Sequence, residues 1–121
     1  MSKQSFYYSL CDALDGVRHF VFTERNAKIQ LAVTLAIIIL AATLRISITE
    51  WLIILLCIGA VISCELMNTA IETLCNALHP QRSTSIKHVK HLSAGAVLCI
   101  AIIASIIGCI ILLPKLFIYA S

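Results

Sequence analysis

The sequence predicts an all-α membrane protein in which an amphipathic surface helix precedes three membrane-spanning helices. Hydrophobic residues make up 60% of its 121 residues and charged residues only 12%, which leaves too little polar surface to cover a soluble globule. The clearest span is Leu92 to Leu113, a run of 22 residues without a charge. At about 1.5 Å per residue such a helix is roughly 33 Å long, enough for a hydrocarbon core of about 30 Å.

The first element is predicted as an amphipathic helix over about residues 4–22. Apolar side chains recur at steps of three and four residues, namely Phe6, Tyr7, Leu10, Leu14, Val17 and Val21. Polar and charged side chains fall largely elsewhere around the helix. We therefore expect this helix to lie on the membrane surface rather than to cross the bilayer.

The remainder of the chain is predicted to complete a single domain, residues 1–121, with three spans at about 27–46, 50–78 and 86–114. The first span contains the uncharged run Ile29 to Leu44. Either Ser47 or Thr49 can cap the helix that follows. Pro80 is expected to mark the end of the second span, because proline disrupts a helix interior.

The basic residues predict the orientation of the chain in the membrane. Seven precede the first span or lie between the second and third: Lys3, Arg18, Arg25, Lys28, Arg82, Lys87 and Lys90. Only Arg45 and Lys115 fall on the other side. By the positive-inside rule, the N-terminus and the 79–91 loop are expected in the cytoplasm and the C-terminus outside. The net charge of +3 then requires no nucleic-acid partner.

A row of polar side chains interrupts the second span. At spacings of 3, 4 and 4 residues they fall along one helix face: Glu65, Asn68, Glu72 and Asn76. A carboxylate at mid-membrane costs on the order of 3 kcal/mol, so such groups usually face a protein interior or a watery cleft and have a partner. Two interpretations stay open. One is that these side chains bind Mg²⁺ carrying nucleotide phosphates. The other is that they form a structural network with cations such as Arg25, Lys28 and Lys90.

Three segments of the sequence resemble one family of enzymes. They are GVRHFVFTERNAKIQL, EWLIILLCIGAVISCELMNTAIETL and KHVKHLSAGAVLCIAIIASIIGCIILLPKL. Together they are similar to the small bacterial membrane kinases of the diacylglycerol kinase and undecaprenol kinase family, whose signature is E-x-x-N-T-A-I-E. TERN, EWL and LPKL look more like the undecaprenol kinase branch.

The resemblance implies a homotrimer in the bacterial inner membrane, with active sites built partly between subunits at the cytoplasmic interface. Glu65 matches the family's general base, which takes the proton from the lipid hydroxyl as that oxygen attacks the γ-phosphate of ATP. Glu24 and Glu72 match the carboxylates that hold Mg²⁺ on ATP. Asn68 matches the amide beside them, and Lys90 matches the lysine that neutralises phosphate charge.

The sequence departs from the family pattern at three positions on the nucleotide side. The family has aspartate, histidine and aspartate where this chain has Asn76, Ser83 and His91. Asn76 and His91 remain candidate nucleotide-binding positions. The departures leave three interpretations: an active kinase with an altered nucleotide pocket, a weak or differently selective kinase, or an inactive membrane scaffold.

The function predicted from the sequence is transfer of the γ-phosphate of ATP, with Mg²⁺, to a lipid alcohol in the membrane. Undecaprenol is the first choice of substrate and diacylglycerol the second. Retention of Glu24, Glu65, Glu72 and Lys90 favours the enzyme over the scaffold, since these residues match the reacting centre.

Overall fold

The computed structural model describes residues 3–78 and 84–121, without the side chains of residues 3 and 4. The helices of this part are α1 (Lys3–Thr23), α2 (Arg25–Thr43), α3 (Ile48–Leu78) and α4 (Thr84–Ala120). The last three are each long and apolar enough to cross a membrane, so the predicted all-α architecture with three spans is confirmed. Pro80, expected to end the second span, and Ser83 lie outside the described residues.

Bulky apolar side chains cover the outer surfaces of the helices. Leu56 on α3 is 75% exposed and Leu92 on α4 is 74% exposed in the single chain. Surfaces of this kind suit lipid chains or neighbouring subunits and would be costly in water. On α1, Phe6 and Leu14 are likewise exposed, while Phe20 near its end is buried. The surface location of α1 stays a prediction.

A tight turn joins α2 to α3. Arg45 takes the left-handed conformation with φ of 53°, and the backbone N–H groups of Arg45 and Ile46 donate to the carbonyls of Ala42 and Ala41. These are the two hydrogen bonds of a Schellman motif, which satisfies carbonyl groups left unpaired at a helix end. The turn places the end of α2 against the start of α3.

The hydrophobic core lies at one end of the helix bundle, where α2 ends, α3 begins and α4 ends. Its buried members are Ala41, Leu44, Ile46, Ile54, Ile111 and Leu112. This cluster pairs the beginning of α3 with the last third of α4, so the two helices run antiparallel. The C-terminal half of α3 therefore faces the N-terminal part of α4 at the opposite end of the bundle.

The last helix extends beyond the residue at which the sequence predicts the third span to end. α4 continues through Pro114 to Ala120. Lys115 Nζ lies 3.2 Å from Glu50 Oε1, and Leu116 packs against the core. These contacts hold the turn after Pro114 against α3, and packing against neighbouring helices is what makes proline tolerable within a membrane helix.

The start of α3 is fixed by a capping box. The Glu50 backbone N–H donates to Ser47 Oγ at 3.2 Å, and the Ser47 N–H donates to Glu50 Oε1 at 2.9 Å. Both bonds satisfy donors that a helix N-terminus otherwise leaves unpaired. Of the two residues predicted as caps, Ser47 is confirmed.

We predict that Ser47→Ala lowers the free energy of unfolding by about 1 kcal/mol, because it removes the capping oxygen. Unfolding in mixed micelles measures this change. Ser63→Ala on the exposed side of the same helix is the matched control and should have little effect. Equal unfolding free energies for the two variants would mean that the box contributes nothing.

Candidate functional site

Polar side chains gather where the C-terminal half of α3 faces the N-terminal part of α4. The group is termed the polar seam and consists of Glu65, Asn68, Glu72 and Asn76 of α3 with Lys90 and Ser93 of α4. The α3 members share one face because their spacing follows the helical repeat. Two hydrogen bonds cross from α4 to this face. The helix face predicted from the sequence is therefore the one that meets α4.

Glu65 is the buried member of the seam. Its relative exposure is 7%, and it is the one buried polar or charged residue in the described part of the chain. Within residues 3–78 and 84–121, no hydrogen bond or ion pair reaches its carboxylate. No side-chain oxygen of the described residues is both fully buried and without a hydrogen-bond partner, so the Glu65 carboxylate lies at the small exposed part of the residue. A carboxylate at this depth usually has a partner, which a substrate or another subunit can supply.

Asn68 is the centre of the hydrogen-bond network. Its Nδ2 donates to Glu72 Oε1 at 3.2 Å, one helical turn further along α3. Its Oδ1 accepts a hydrogen bond from Ser93 Oγ at 2.7 Å, across the interface with α4. The amide thus joins the exposed Glu72 carboxylate to the facing helix.

Lys90 forms the second connection across the interface. Its Nζ donates to Asn76 Oδ1 at 2.9 Å. Because an amide carries no charge, this contact leaves the positive charge of Lys90 uncompensated. In the described part of the chain the only ion pair is that of Lys115 with Glu50, far from the seam along α3. Among the described residues, the polar seam is therefore joined by hydrogen bonds and contains no ion pair.

The remaining predicted site residues stand apart from these bonds. Glu24 lies in extended backbone between α1 and α2, where it occupies the cap position of α2 but makes no side-chain capping bond. Its half-buried carboxylate is therefore not used by the helix end. His91 is exposed on α4 and its side chain makes no hydrogen bond with the described residues, while Ser83 lies outside them.

The donor set of the seam suits Mg²⁺ in one particular way. Over the described ranges, no three His, Cys, Asp or Glu side chains are grouped to hold a metal ion by themselves. Mg²⁺ is usually held by one or two carboxylates together with phosphate oxygens and water, and an exposed carboxylate such as Glu72 meets that requirement. Asn68 and Glu72 therefore fit a metal that arrives with nucleotide phosphates, not a permanent protein cage.

Ser93 is the member of the seam that the sequence analysis missed. It lies three residues after Lys90 and so shares the face of α4 that meets α3. This spacing could have identified Ser93 from the sequence as a neighbour of Lys90 on the same helix face. A serine within an apolar helix is nevertheless common, and its partner Asn68 lies 25 residues away along the chain.

Comparison with known proteins gives consistent matches over most of the chain. Residues 11–112 match the prokaryotic diacylglycerol kinase family. The undecaprenol kinase of Bacillus subtilis is 40% identical over 111 residues, which cover 92% of this chain and 90% of that protein. A diacylglycerol kinase of Synechocystis sp. is 34% identical over 102 residues, 84% of this chain and 58% of the longer relative.

The matched region contains every residue of the polar seam as well as Glu24 and His91. The resemblance predicted from the sequence motifs is confirmed by the family match and by both relatives. This chain belongs to the prokaryotic diacylglycerol kinase family, a family of membrane lipid kinases.

Proposed function

We propose that this protein transfers the γ-phosphate of ATP to undecaprenol, forming undecaprenyl phosphate and ADP. The observation that carries the proposal is Glu65 at one end of the polar seam, a residue only 7% exposed whose carboxylate makes no hydrogen bond or ion pair within the described residues. The choice of undecaprenol is supported by the 40% identity to the Bacillus kinase along nearly the whole of both chains. Diacylglycerol is the alternative acceptor, supported by the weaker match to the Synechocystis enzyme.

Glu65 is the proposed general base. Its carboxylate accepts the proton of the lipid hydroxyl while that oxygen forms a bond to the γ-phosphorus and the bond to the β-phosphate oxygen breaks. The exposed apolar side chains of α3 and α4 can contact the isoprenoid chain as they would the lipid chains of the bilayer.

The rest of the seam serves the phosphate groups. Lys90 brings a positive charge that Asn76 does not neutralise, and this charge can stabilise the oxygens of the transferring phosphoryl group. Glu72 and Glu24 are the proposed Mg²⁺ ligands, with Asn68 holding Glu72. When bound, Mg²⁺ supplies charge neutralisation at the phosphate oxygens.

The active assembly is proposed to be a homotrimer in the bacterial inner membrane, with the N-terminus in the cytoplasm and α1 on the membrane surface. A site shared between subunits would explain why Glu65 is buried yet has no partner in the described part of one chain. Such sharing would also bring Glu24 of one subunit toward the seam of another. The excess of basic residues on one side supports the orientation.

A catalytically weak or inactive scaffold is the second candidate function. It is favoured by the departures at Asn76, Ser83 and His91, which replace three family groups on the nucleotide side. The hydrogen bond from Lys90 to Asn76 argues for the kinase, because it keeps the lysine oriented toward the seam.

The lipid substrate is tested by competition. Purified protein in vesicles that hold equal amounts of undecaprenol and diacylglycerol receives γ-labelled ATP and Mg²⁺, and the labelled lipids are separated. We expect label chiefly in undecaprenyl phosphate. Label chiefly in phosphatidic acid would replace undecaprenol by diacylglycerol as the substrate.

A separate prediction concerns the three departures from the family pattern on the nucleotide side. The triple variant Asn76→Asp, Ser83→His, His91→Asp should lower the apparent KM for ATP several-fold without changing which lipid is phosphorylated. An aspartate at position 76 faces Lys90 and stands one turn beyond Glu72, so it can hold the metal or its water shell. Steady-state kinetics over a range of ATP concentrations measure the change. A folded triple variant with unchanged ATP dependence would show that other residues form the pocket.

A further inference from the structure

We propose that Ser93 is a positioning residue that sets the metal-binding geometry of Glu72 through the Asn68 amide. The inference rests on the proposed role of Glu72 as a Mg²⁺ ligand. Ser93 itself touches neither carboxylate; its hydroxyl reaches only Asn68, at 2.7 Å. Its effect on the metal must therefore pass through the orientation of that amide.

The orientation of the Asn68 amide follows from the chemistry of its neighbours. An ionised carboxylate only accepts hydrogen bonds, so the atom of Asn68 that faces Glu72 must be the donor Nδ2. Oδ1 then points toward α4, and the Ser93 hydroxyl must donate to it. The three groups form one directed chain of hydrogen bonds, from Ser93 to Asn68 to Glu72.

Ser93 holds the Asn68 amide in this orientation because its hydroxyl, on the facing helix, donates to the amide oxygen. Without its hydroxyl, Oδ1 loses its donor in a half-buried interface, and only the bond from Nδ2 to Glu72 holds the amide. An amide held at one end only no longer ties Glu72 to α4. The carboxylate is then held less firmly in the position in which one oxygen accepts from Nδ2 and the other remains available to a metal. Groups that orient metal ligands in this way typically contribute 10- to 100-fold in metal affinity.

The test measures metal binding directly. Mn²⁺ is the probe, because it takes oxygen ligands as Mg²⁺ does and its free form is visible by electron paramagnetic resonance. The full-length protein in detergent is titrated with Mn²⁺ in the presence of a non-hydrolysable ATP analogue. We expect Ser93→Ala to weaken Mn²⁺ binding about 10-fold. Ser93→Thr, which keeps the hydroxyl, should retain most of the affinity.

Ser105→Ala is the matched control on the same helix. Ser105 lines the apolar cavity of about 440 Å³ between α2, α3 and α4 and takes no part in the polar seam. Mn²⁺ affinity should be unchanged in this variant. A loss equal to that of Ser93→Ala would mean that removing any serine from α4 loosens the bundle, and would overturn the positioning role.

A double-mutant cycle separates action through Asn68 from a direct effect. In an Asn68→Ala background, Ser93→Ala should change Mn²⁺ affinity less than about twofold, because the amide that transmits its effect is absent. If Ser93→Ala weakens Mn²⁺ binding by the same factor with and without Asn68, the proposal is overturned. It is also overturned if the wild-type protein binds no Mn²⁺ beyond that held by the nucleotide. If instead the proposed kinase function is wrong, Mn²⁺ binding and the coupling between Ser93 and Asn68 should be as expected, but no lipid should be phosphorylated.

Discussion

Glu65→Gln should lower the rate of lipid phosphorylation by about 10²- to 10⁴-fold, the range that a positioned general base contributes. Glutamine has nearly the same shape as glutamate, but its amide cannot accept the hydroxyl proton. Nucleotide binding should remain within about threefold of wild type, since Glu65 is assigned to the lipid hydroxyl and not to the phosphates. Turnover with labelled ATP and equilibrium binding of an ATP analogue measure the two effects separately.

The stability of Glu65→Gln is a second measurement, and it should not fall as the activity does. Because Glu65 is 7% exposed and unpaired within the described residues, a neutral amide should leave the folded protein equally stable or more stable. Glu50→Gln is the matched control, the same exchange at the other end of α3, where the carboxylate pairs with Lys115. It should retain nearly normal turnover. Near-normal turnover in Glu65→Gln, or an equal loss in both variants, would remove Glu65 as the base.

Glu72→Gln and Glu24→Gln should each raise the Mg²⁺ concentration needed for half-maximal activity, by about 10-fold or more, and should reduce the maximal rate. Each change replaces a charged oxygen ligand by a neutral one, which a hard cation binds less well. In Glu72→Gln the bond from Asn68 Nδ2 can persist, because the glutamine side-chain oxygen still accepts it. Activity measured across a Mg²⁺ titration shows the shift.

Glu50→Gln again serves as the control and should keep the wild-type Mg²⁺ dependence, since Glu50 lies in the capping box at the far end of α3. Unchanged Mg²⁺ dependence in both Glu72→Gln and Glu24→Gln would contradict the metal assignment. The polar seam would then be a structural network that joins α3 to α4.

Local rules explain which parts of this architecture could be predicted from the sequence. Long uncharged runs identify membrane helices because a bilayer excludes unpaired polar groups, so the three spans followed from composition. The 3.6-residue repeat placed Glu65, Asn68, Glu72 and Asn76 on one face, and the structure shows that this face meets α4. The cap at Ser47 likewise depends only on neighbours in the chain.

Features that depend on contacts distant in sequence could not be predicted in this way. Ser93 belongs to the seam only because α3 and α4 pack antiparallel in one particular register. The part of α4 beyond Pro114 is likewise held by distant residues, since Lys115 pairs with Glu50 and Leu116 packs against the core. The proposed roles of Glu24 and His91 involve a nucleotide, and that of Glu24 a neighbouring subunit as well, so these roles stay predictions.

The central claim, that this chain is a kinase with the polar seam as its reacting centre, is tested most directly by phosphoryl transfer from labelled ATP. Wild-type protein is incubated in vesicles with γ-labelled ATP, with and without Mg²⁺, and with undecaprenol, with diacylglycerol, or with neither. We predict a labelled lipid phosphate that requires both Mg²⁺ and a lipid alcohol and that disappears in Glu65→Gln. Folded wild-type protein that labels neither lipid would contradict the claim and leave the scaffold as the better account.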